Sequence, residues 1–227
     1  MIRIGDALFE ADRTGALWWP GPRTLVAADL HLEKGAAYAR RGAFLPPYDT
    51  TETLRRLSDL ISRRNPRRVI LLGDSFHDAV GMQGLNQADR VTLGALQRKR
   101  TWIWITGNHD PEICDCLGGE EADQVALDEL TFRHEPDCPG TMNEVAGHLH
   151  PCARIMRHGR SIRRPCFVSN GTRLIIPAFG AYTGGLNICD PAFDDVFTQE
   201  DRDTGLSVWM VGRHSTYFVG GSAIRPD

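Results

Sequence analysis

The chain has 227 residues, 41% of them apolar and 24% charged, with a net charge of −3 and a pI near 6.2. That length suits one domain with a sizeable core, so residues 1–227 are read as a single domain, without linker, repeat or low-complexity stretch. No apolar run approaches the ~18–20 residues needed to cross a bilayer, and the opening MIRIGDALFEADRTG lacks the apolar stretch of a signal peptide. A cytoplasmic protein with no membrane partner is expected.

The opening 30 residues show short apolar runs broken by Gly, Pro and Asp, which predict small strands leading into a buried one at Thr24–Ala28. From Asp49 to Arg64 the spacing turns helical. Leu54, Leu57 and Ile61 share a face, Asp49, Thr50 or Thr51 can cap the start, and Asn65-Pro66 ends it. RRVILLGD predicts a buried strand. Asn86 to Lys99 predicts a second helix with Val91 and Leu96 turned inward, and TWIWITG another strand. This β-α-β-α-β order implies right-handed crossovers and a parallel sheet. After residue 120 the helical periodicity stops. QVALDELTFRHEP, NEVAGHLHP, ARIMRHG, SIRRPCFVSNG, TRLIIPAFG, GLSVWMVGR and STYFVGG read as short strands. The expected class is α/β, a four-layer α/β/β/α sandwich with two sheets face to face. Trp102 and Trp104 belong to a buried strand and are expected in the core, not as base-stacking platforms. The six cysteines form no C-x-x-C pair and are expected as free thiols, mostly packed as small apolar residues.

Residues able to bind metal recur just past the predicted strands. They are Asp29 and His31 in ADLH, Asp74 in LLGD, Asn108 in TGNHD, His134 in FRHEP, and His148 and His150 in GHLH, with His109 beside Asn108. Singly each has a plain explanation: a turn Asp, a left-handed Asn, a surface His pair, a partly buried His. In this order they have one economical explanation, a two-metal site for cutting phosphate esters. Ligands of open α/β sheets gather beyond the carboxyl ends of strands, where Asp29, Asp74 and Asn108 fall. In extended backbone, residues i and i+2 point to one side, so Asp29 and His31 could reach one ion. His148 and His150 could do the same or, with a bend, serve two. Asp74 is the natural bridge. Imidazole, carboxylate and amide donors suit Mn²⁺, Fe²⁺ or Zn²⁺ better than Ca²⁺. Two such ions ~3.5–4 Å apart would polarise a phosphoryl oxygen and convert water to hydroxide. His109, uncoordinated, could protonate the leaving oxygen, with Asp110 or another carboxylate orienting its ring.

The set D-x-H, G-D, G-N-H-D, H and G-H-x-H resembles that of the calcineurin-like metallophosphoesterases, from Asp29 to His150. The resemblance implies that Asp29, His31, Asp74 and His150 hold one metal. It implies that Asp74, Asn108, His134 and His148 hold the other, with Mn²⁺ the expected ion, and that His109 is the catalytic histidine. ADLHLEKG, LLGDSFHD and PAFGAYTGGL together look like the ligase-associated DNA damage response endonucleases of the PdeM type. That implies DNA as substrate, and a DNA ligase and a helicase as repair partners. His77 resembles the second histidine of the double-strand-break repair nucleases, which helps position the DNA backbone. No extra DNA-capping domain of the kind those larger nucleases carry is expected within these 227 residues.

Nearly all the positive charge is arginine, since Lys34 and Lys99 are the only lysines. Arg154, Arg157, Arg160, Arg163 and Arg164 follow the last ligands on a predicted hairpin that could bring several to one face, with Arg157, Arg160 and Arg163 as candidate DNA contacts. A solvated hairpin with surface ion pairs is the plainer alternative. The acidic pI favours a rival function, a phosphoesterase for nucleotides or cyclic nucleotides. A silent protein-binding scaffold is the other rival, and the intact ligand set argues against it.

Overall fold

The computed structural model describes residues 1–43, 45–113 and 115–227. Three short strands, β1 (Ile2–Ile4), β2 (Ala7–Ala11) and β3 (Leu17–Trp19), lead into β4 (Thr24–Ala28). Helices α1 (Lys34–Arg40) and α2 (Asp49–Arg64) follow. Next come β5 (Arg68–Leu72), α3 (Ala79–Gly84), α4 (Gln87–Gln97), β6 (Thr101–Ile105) and β7 (Glu120–Ala122). The second half comprises β8 (Gln124–Leu127), β9 (Leu130–Arg133), β10 (Glu144–Ala146), β11 (Cys152–Arg157), β12 (Arg160–Ser169) and β13 (Arg173–Ile175). A short helix α5 (Gln199–Thr204) precedes β14 (Ser207–Val211) and β15 (Thr216–Gly220).

The first sheet runs β1-β2-β3-β4-β5-β6-β7, antiparallel up to β4 and parallel from β4 to β7. The second runs β15-β14-β12-β13-β10-β9-β8, with β11 added on β12; its centre, β13-β10-β9, is parallel. Alternation along the parallel strands assigns their side chains. In β4, Leu25 and Ala27 pack under α2 and α4, with Leu54, Leu57, Leu60 and Ile61 from α2. Val26 and Ala28 face the other sheet and meet Ile70, Leu72, Phe132, Val145 and Leu174 there. A third cluster around Val168, Phe193, Phe197 and Val208 covers the outer face of the second sheet. The chain therefore has the expected α/β sandwich architecture. Among the described residues no helix is long and apolar enough to cross a membrane.

Several local expectations need correction. The α2 N-cap is Tyr48, without a side-chain cap; Asp49 and Thr50 instead bond to the α1 segment. In α4 the inward residues are Leu93 and Leu96, whereas Val91 is 58% exposed. The buried stripe runs Asp89, Leu93, Leu96, and Val91 is ~200° round the helix from Asp89. Helical structure does not stop at residue 120, because α5 is built on a Thr198–Asp201 capping box. Trp102 and Trp104 are buried as expected, and so are Trp18 and Trp19. Cys152 and Cys166 are buried free thiols, but Cys138 and Cys189 are exposed and Cys116 is disulfide-bonded. Cys114 lies outside the described residues.

Candidate metal centre

The seven candidate ligands leave the carboxyl ends of five strands. Asp29 and His31 follow β4, Asp74 follows β5 and Asn108 follows β6, three adjacent parallel strands. His134 follows β9 and His148 and His150 follow β10, adjacent and parallel in the facing sheet. The β4 and β5 strands stay zipped past their ends. Asp29 N–H donates to the Gly73 carbonyl (3.2 Å), His31 N–H to that of Asp74 (2.9 Å) and Leu32 N–H to that of Ser75 (2.9 Å).

The backbone that aims these side chains is left-handed, not extended. Asp29 (φ 54°), His31 (44°), Asp74 (46°), His148 (69°) and His150 (46°) all have positive φ. The i, i+2 alternation of extended chain therefore does not aim Asp29 and His31, or His148 and His150. Each such residue costs ~1–3 kcal/mol and persists only where its surroundings over-determine it, a pattern that concentrates at functional sites. Asp110 supplies part of that constraint. Its buried carboxylate accepts hydrogen bonds from the backbone N–H groups of Asp74 (2.9 Å), Phe76 (3.0 Å) and Gly107 (3.1 Å). Burial pushes its pKa up to about 7 against the pull of the Phe76 N–H, and the Asp74 charge adds to the rise. Two glycines permit the close approach. A Cβ on Gly73 (φ 67°) would collide with the His134 ring, and one on Gly107 with the backbone N and Oδ1 of Asp74.

The donor atoms converge in groups that could hold a cation. His134 Nδ1 lies 2.9 Å from the Leu72 carbonyl, which can only accept, so Nδ1 carries a hydrogen and Nε2 is the ring nitrogen turned to the other candidate ligands. His134 Nε2 faces Asn108 Oδ1 at 2.9 Å, His148 Nδ1 at 3.1 Å and Asp74 Oδ1 at 3.5 Å. On the other side, His31 Nε2 and His150 Nε2 face each other at 3.4 Å, with His31 Nε2 3.9 Å from Asp74 Oδ2. Asp29 Oδ1 lies 3.3 Å from His150 Nε2 and is buried without a well-formed hydrogen bond. Burial, then the neighbouring His150, lowers His31 to about 2, so at neutral pH its imidazole is uncharged and free to coordinate. Burial and His134 lower His148. Burial would lower His150 as well, but the Asp29 carboxylate beside it outweighs burial and the net shift is upward. Asp29 sits in two compact donor groups, with His31 and His150 and with Asp74 and His134. A third, His134, Glu135 and His148, includes a carboxylate that sequence reasoning missed. The acidic residue directly after His134 was the available signal.

A calcineurin-like phosphoesterase family model matches residues 22–165, which takes in all of these residues. The chain belongs to that family. It is a metal-dependent phosphoesterase. The crystal structure of nuclease MPE from Pseudomonas putida is 28% identical, with a TM-score of 0.70 over 95% of this chain and 98% of that one. The phosphoesterase YfcE from E. coli is 16% identical, with a TM-score of 0.42 over 89% of this chain and 99% of that one. No curated protein sequence matches.

In this phosphoesterase, His109 sits at the edge of the cluster. Its backbone N–H donates to Asp74 Oδ1 (2.9 Å), and its ring Nδ1 donates to the His77 carbonyl (3.0 Å). The orienting group is thus a backbone carbonyl, not the expected Asp110 carboxylate, which is occupied with the loop backbones. The His77 ring stacks on His109 with centroids 5.2 Å apart and planes 21° apart. Burial, then the nearby His109, lowers its pKa. His77 therefore joins the centre both through its carbonyl and through its ring.

The arginines are divided. Register pairs Arg154 with Arg163 and Arg157 with Arg160. Strand alternation then puts Arg157 and Arg160 on one face and Arg163 on the other, so the three do not form one patch. Arg163 and Arg164 line a cleft with His150, Thr183 and Gly185. Arg163 is tied to Asp227 (3.0 Å) and to the Gly185 carbonyl (2.6 Å). Arg157 and Arg160 are exposed at the hairpin tip.

Proposed function

We propose that this phosphoesterase is a dinuclear phosphodiesterase that cuts DNA, an endonuclease of DNA repair. On this reading residues 1–227 act as one domain in the cytoplasm, beside a DNA ligase and a helicase. Asp29, His31, Asp74 and His150 would hold one divalent ion, and Asp74, Asn108, His134 and His148 the other, with Mn²⁺ as the expected metal. Bound there, the two ions would polarise a phosphoryl oxygen and activate water for attack on phosphorus. The chain's own residues supply positioning and protons. With Nδ1 engaged by the His77 carbonyl, His109 offers Nε2 to the substrate and, as the imidazolium, can pass its Nε2 proton to the leaving oxygen and return to the neutral ring. The stacked His77 ring fixes the plane of that imidazole.

The observation that carries the nuclease reading is the likeness to a nuclease across nearly the full length of both chains. The second reading, a phosphoesterase for nucleotides, draws on the net charge of −3 and on Arg163 being already paired with Asp227. Purified protein with Mn²⁺ is offered single-stranded DNA, bis-p-nitrophenyl phosphate and cyclic nucleotides side by side. DNA cleavage that chelation stops supports the nuclease. Turnover of cyclic nucleotides with no DNA cleavage overturns it.

A further inference from the structure

Helix α1 starts three residues after His31, and its placement is built with care. The N-cap Glu33 is held in left-handed backbone at φ 63°. Its N–H donates to the Thr50 hydroxyl (2.8 Å), which donates in turn to Glu33 Oε1 (2.9 Å). On the other side of Lys34, the Gly35 N–H donates to the buried Asp49 carboxylate at 3.0 Å. Two residues of α2 therefore fix the backbone on both flanks of Lys34.

Lys34 and Tyr38 are four residues apart on α1, so they share one face. That face turns toward the metal centre. The Tyr38 ring centroid is 5.8 Å from His77, which stacks on His109, and His109 lies 5.3 Å from His31. The rings form a ladder from the surface to the candidate ligands, and its outermost member, Tyr38, is 36% exposed. Lys34 is half-buried and makes no ion pair with any described residue. Nearby Arg40, by contrast, is neutralised by Asp78 at 2.6 Å. The Asp49 charge reaches Lys34, but Asp49 makes no ion pair with it and is engaged by the Gly35 N–H, so this partly desolvated ammonium beside a phosphoester-cleaving centre is suited to an anion that arrives with the substrate.

We propose that Lys34 and Tyr38 form a subsite for the nucleotide next to the scissile phosphate, Lys34 holding its phosphate and Tyr38 stacking on its base. The inference rests on the nuclease reading and narrows it. Stacking on Tyr38 needs an unpaired base, so the substrate is single-stranded at this position. A small diester has no flanking nucleotide and reaches neither residue.

The test compares Mn²⁺-loaded wild type, Lys34→Ala, Lys34→Arg and Tyr38→Ala on a single-stranded DNA oligonucleotide and on bis-p-nitrophenyl phosphate. Lys34→Ala is expected to raise KM for the oligonucleotide about tenfold with kcat within about twofold, and to remove about 0.7 from the log–log salt slope of binding. Lys34→Arg restores most of both. Tyr38→Ala raises KM about tenfold with the slope unchanged. If Lys34→Ala melts early, Lys34→Met, which keeps an aliphatic stem, carries the same expectation. Equal losses of kcat/KM on both substrates would overturn the subsite, because Lys34 would then be supporting the metal centre. An unchanged KM and salt slope, with the wild type cutting DNA, would overturn the subsite and leave the nuclease standing. A wild type that cuts and binds no DNA would overturn both.

Discussion

The metal centre and the arginine hairpin adjoin in sequence, since β11 begins at Cys152, two residues after His150. The tertiary structure treats them in opposite ways. The seven candidate ligands come from five loops and two sheets, yet their donor atoms meet within a few ångströms and most of the side chains are buried. The arginines belong to one continuous hairpin, yet strand alternation sends them to two faces and into solvent. Closeness in sequence therefore did not bring side chains together, whereas a common position at the ends of parallel strands did. In the centre, left-handed backbone at five candidate ligands is held by inter-strand hydrogen bonds and by Asp110. On the hairpin, each arginine keeps its rotamer freedom or takes a surface partner, an interaction worth ~0–1 kcal/mol.

The contrast breaks first at Asp74. Asp74→Ala should abolish activity and lower metal content, because both donor clusters meet this carboxylate and the His109 backbone bonds to it. Elemental analysis that finds two ions per chain at wild-type occupancy in the variant would sink the bridging role. His109→Ala comes next. The ring contributes no atom to the donor groups, so metal content should hold while diester cleavage slows ~10²–10⁴-fold, the usual loss for a proton-transfer group. Near-normal turnover of DNA, whose leaving group is an alkoxide, would remove His109 from the mechanism.

A milder test uses the titration of the chelated protein. Burial lowers His31, His77 and His148 from the ordinary 6.5, while His150 is shifted upward and opposes them. A folded state that resists protonation is favoured above the unfolded pKa and loses that advantage as pH falls through ~6.5 toward the lowered values. Chelated protein should melt at a lower temperature at about pH 5 than at about pH 7.5, and Mn²⁺ should raise the higher-pH value further. Calorimetry that finds the chelated protein more stable at the acid end would contradict the coupled-histidine picture.

The smallest effects are expected on the hairpin. Changing Arg157, Arg160 and Arg163 together to Ala should flatten the salt dependence of DNA binding by ~0.7–0.9 in log–log slope for each phosphate that is no longer neutralised. The face split sharpens this. Arg163→Ala alone should account for most of the change, because only Arg163 of the three lines the cleft beside His150. If the Arg157→Ala, Arg160→Ala pair carries the change instead, DNA crosses the hairpin tip, and if neither does, the hairpin is not the rim.

Much of the fold was legible because local signals agreed. The α2 helix spans Asp49–Arg64 and β4 spans Thr24–Ala28 as the patterns predict. The continuous apolar run of β4 marks a strand buried on both faces. Short helices were less legible. α1 and α5 bury few or no apolar side chains, so no stripe announces them. Val91 misled because an apolar residue in a helical window does not by itself reveal which face is inward. Within the site, residue types and their places after strands were readable, but the orienting hydrogen bonds were not. The His77 carbonyl behind His109 carries no residue-type signature at all, since every residue has a carbonyl.

The sequence by itself determined the chemistry of the centre: which residues can donate to a metal, in which order, and at which strand ends. Those follow from side-chain type and from hydrophobic periodicity, both local properties. Only the tertiary structure decided how the donors are aimed, through positive φ at Asp29, His31, Asp74, His148 and His150. It also placed Tyr38 beside His77 and separated Arg163 from Arg157 and Arg160. Left-handed backbone at non-glycine residues is unfavourable locally. It exists here because two sheets and the Asp110 carboxylate hold it, and no stretch of sequence expresses that constraint alone.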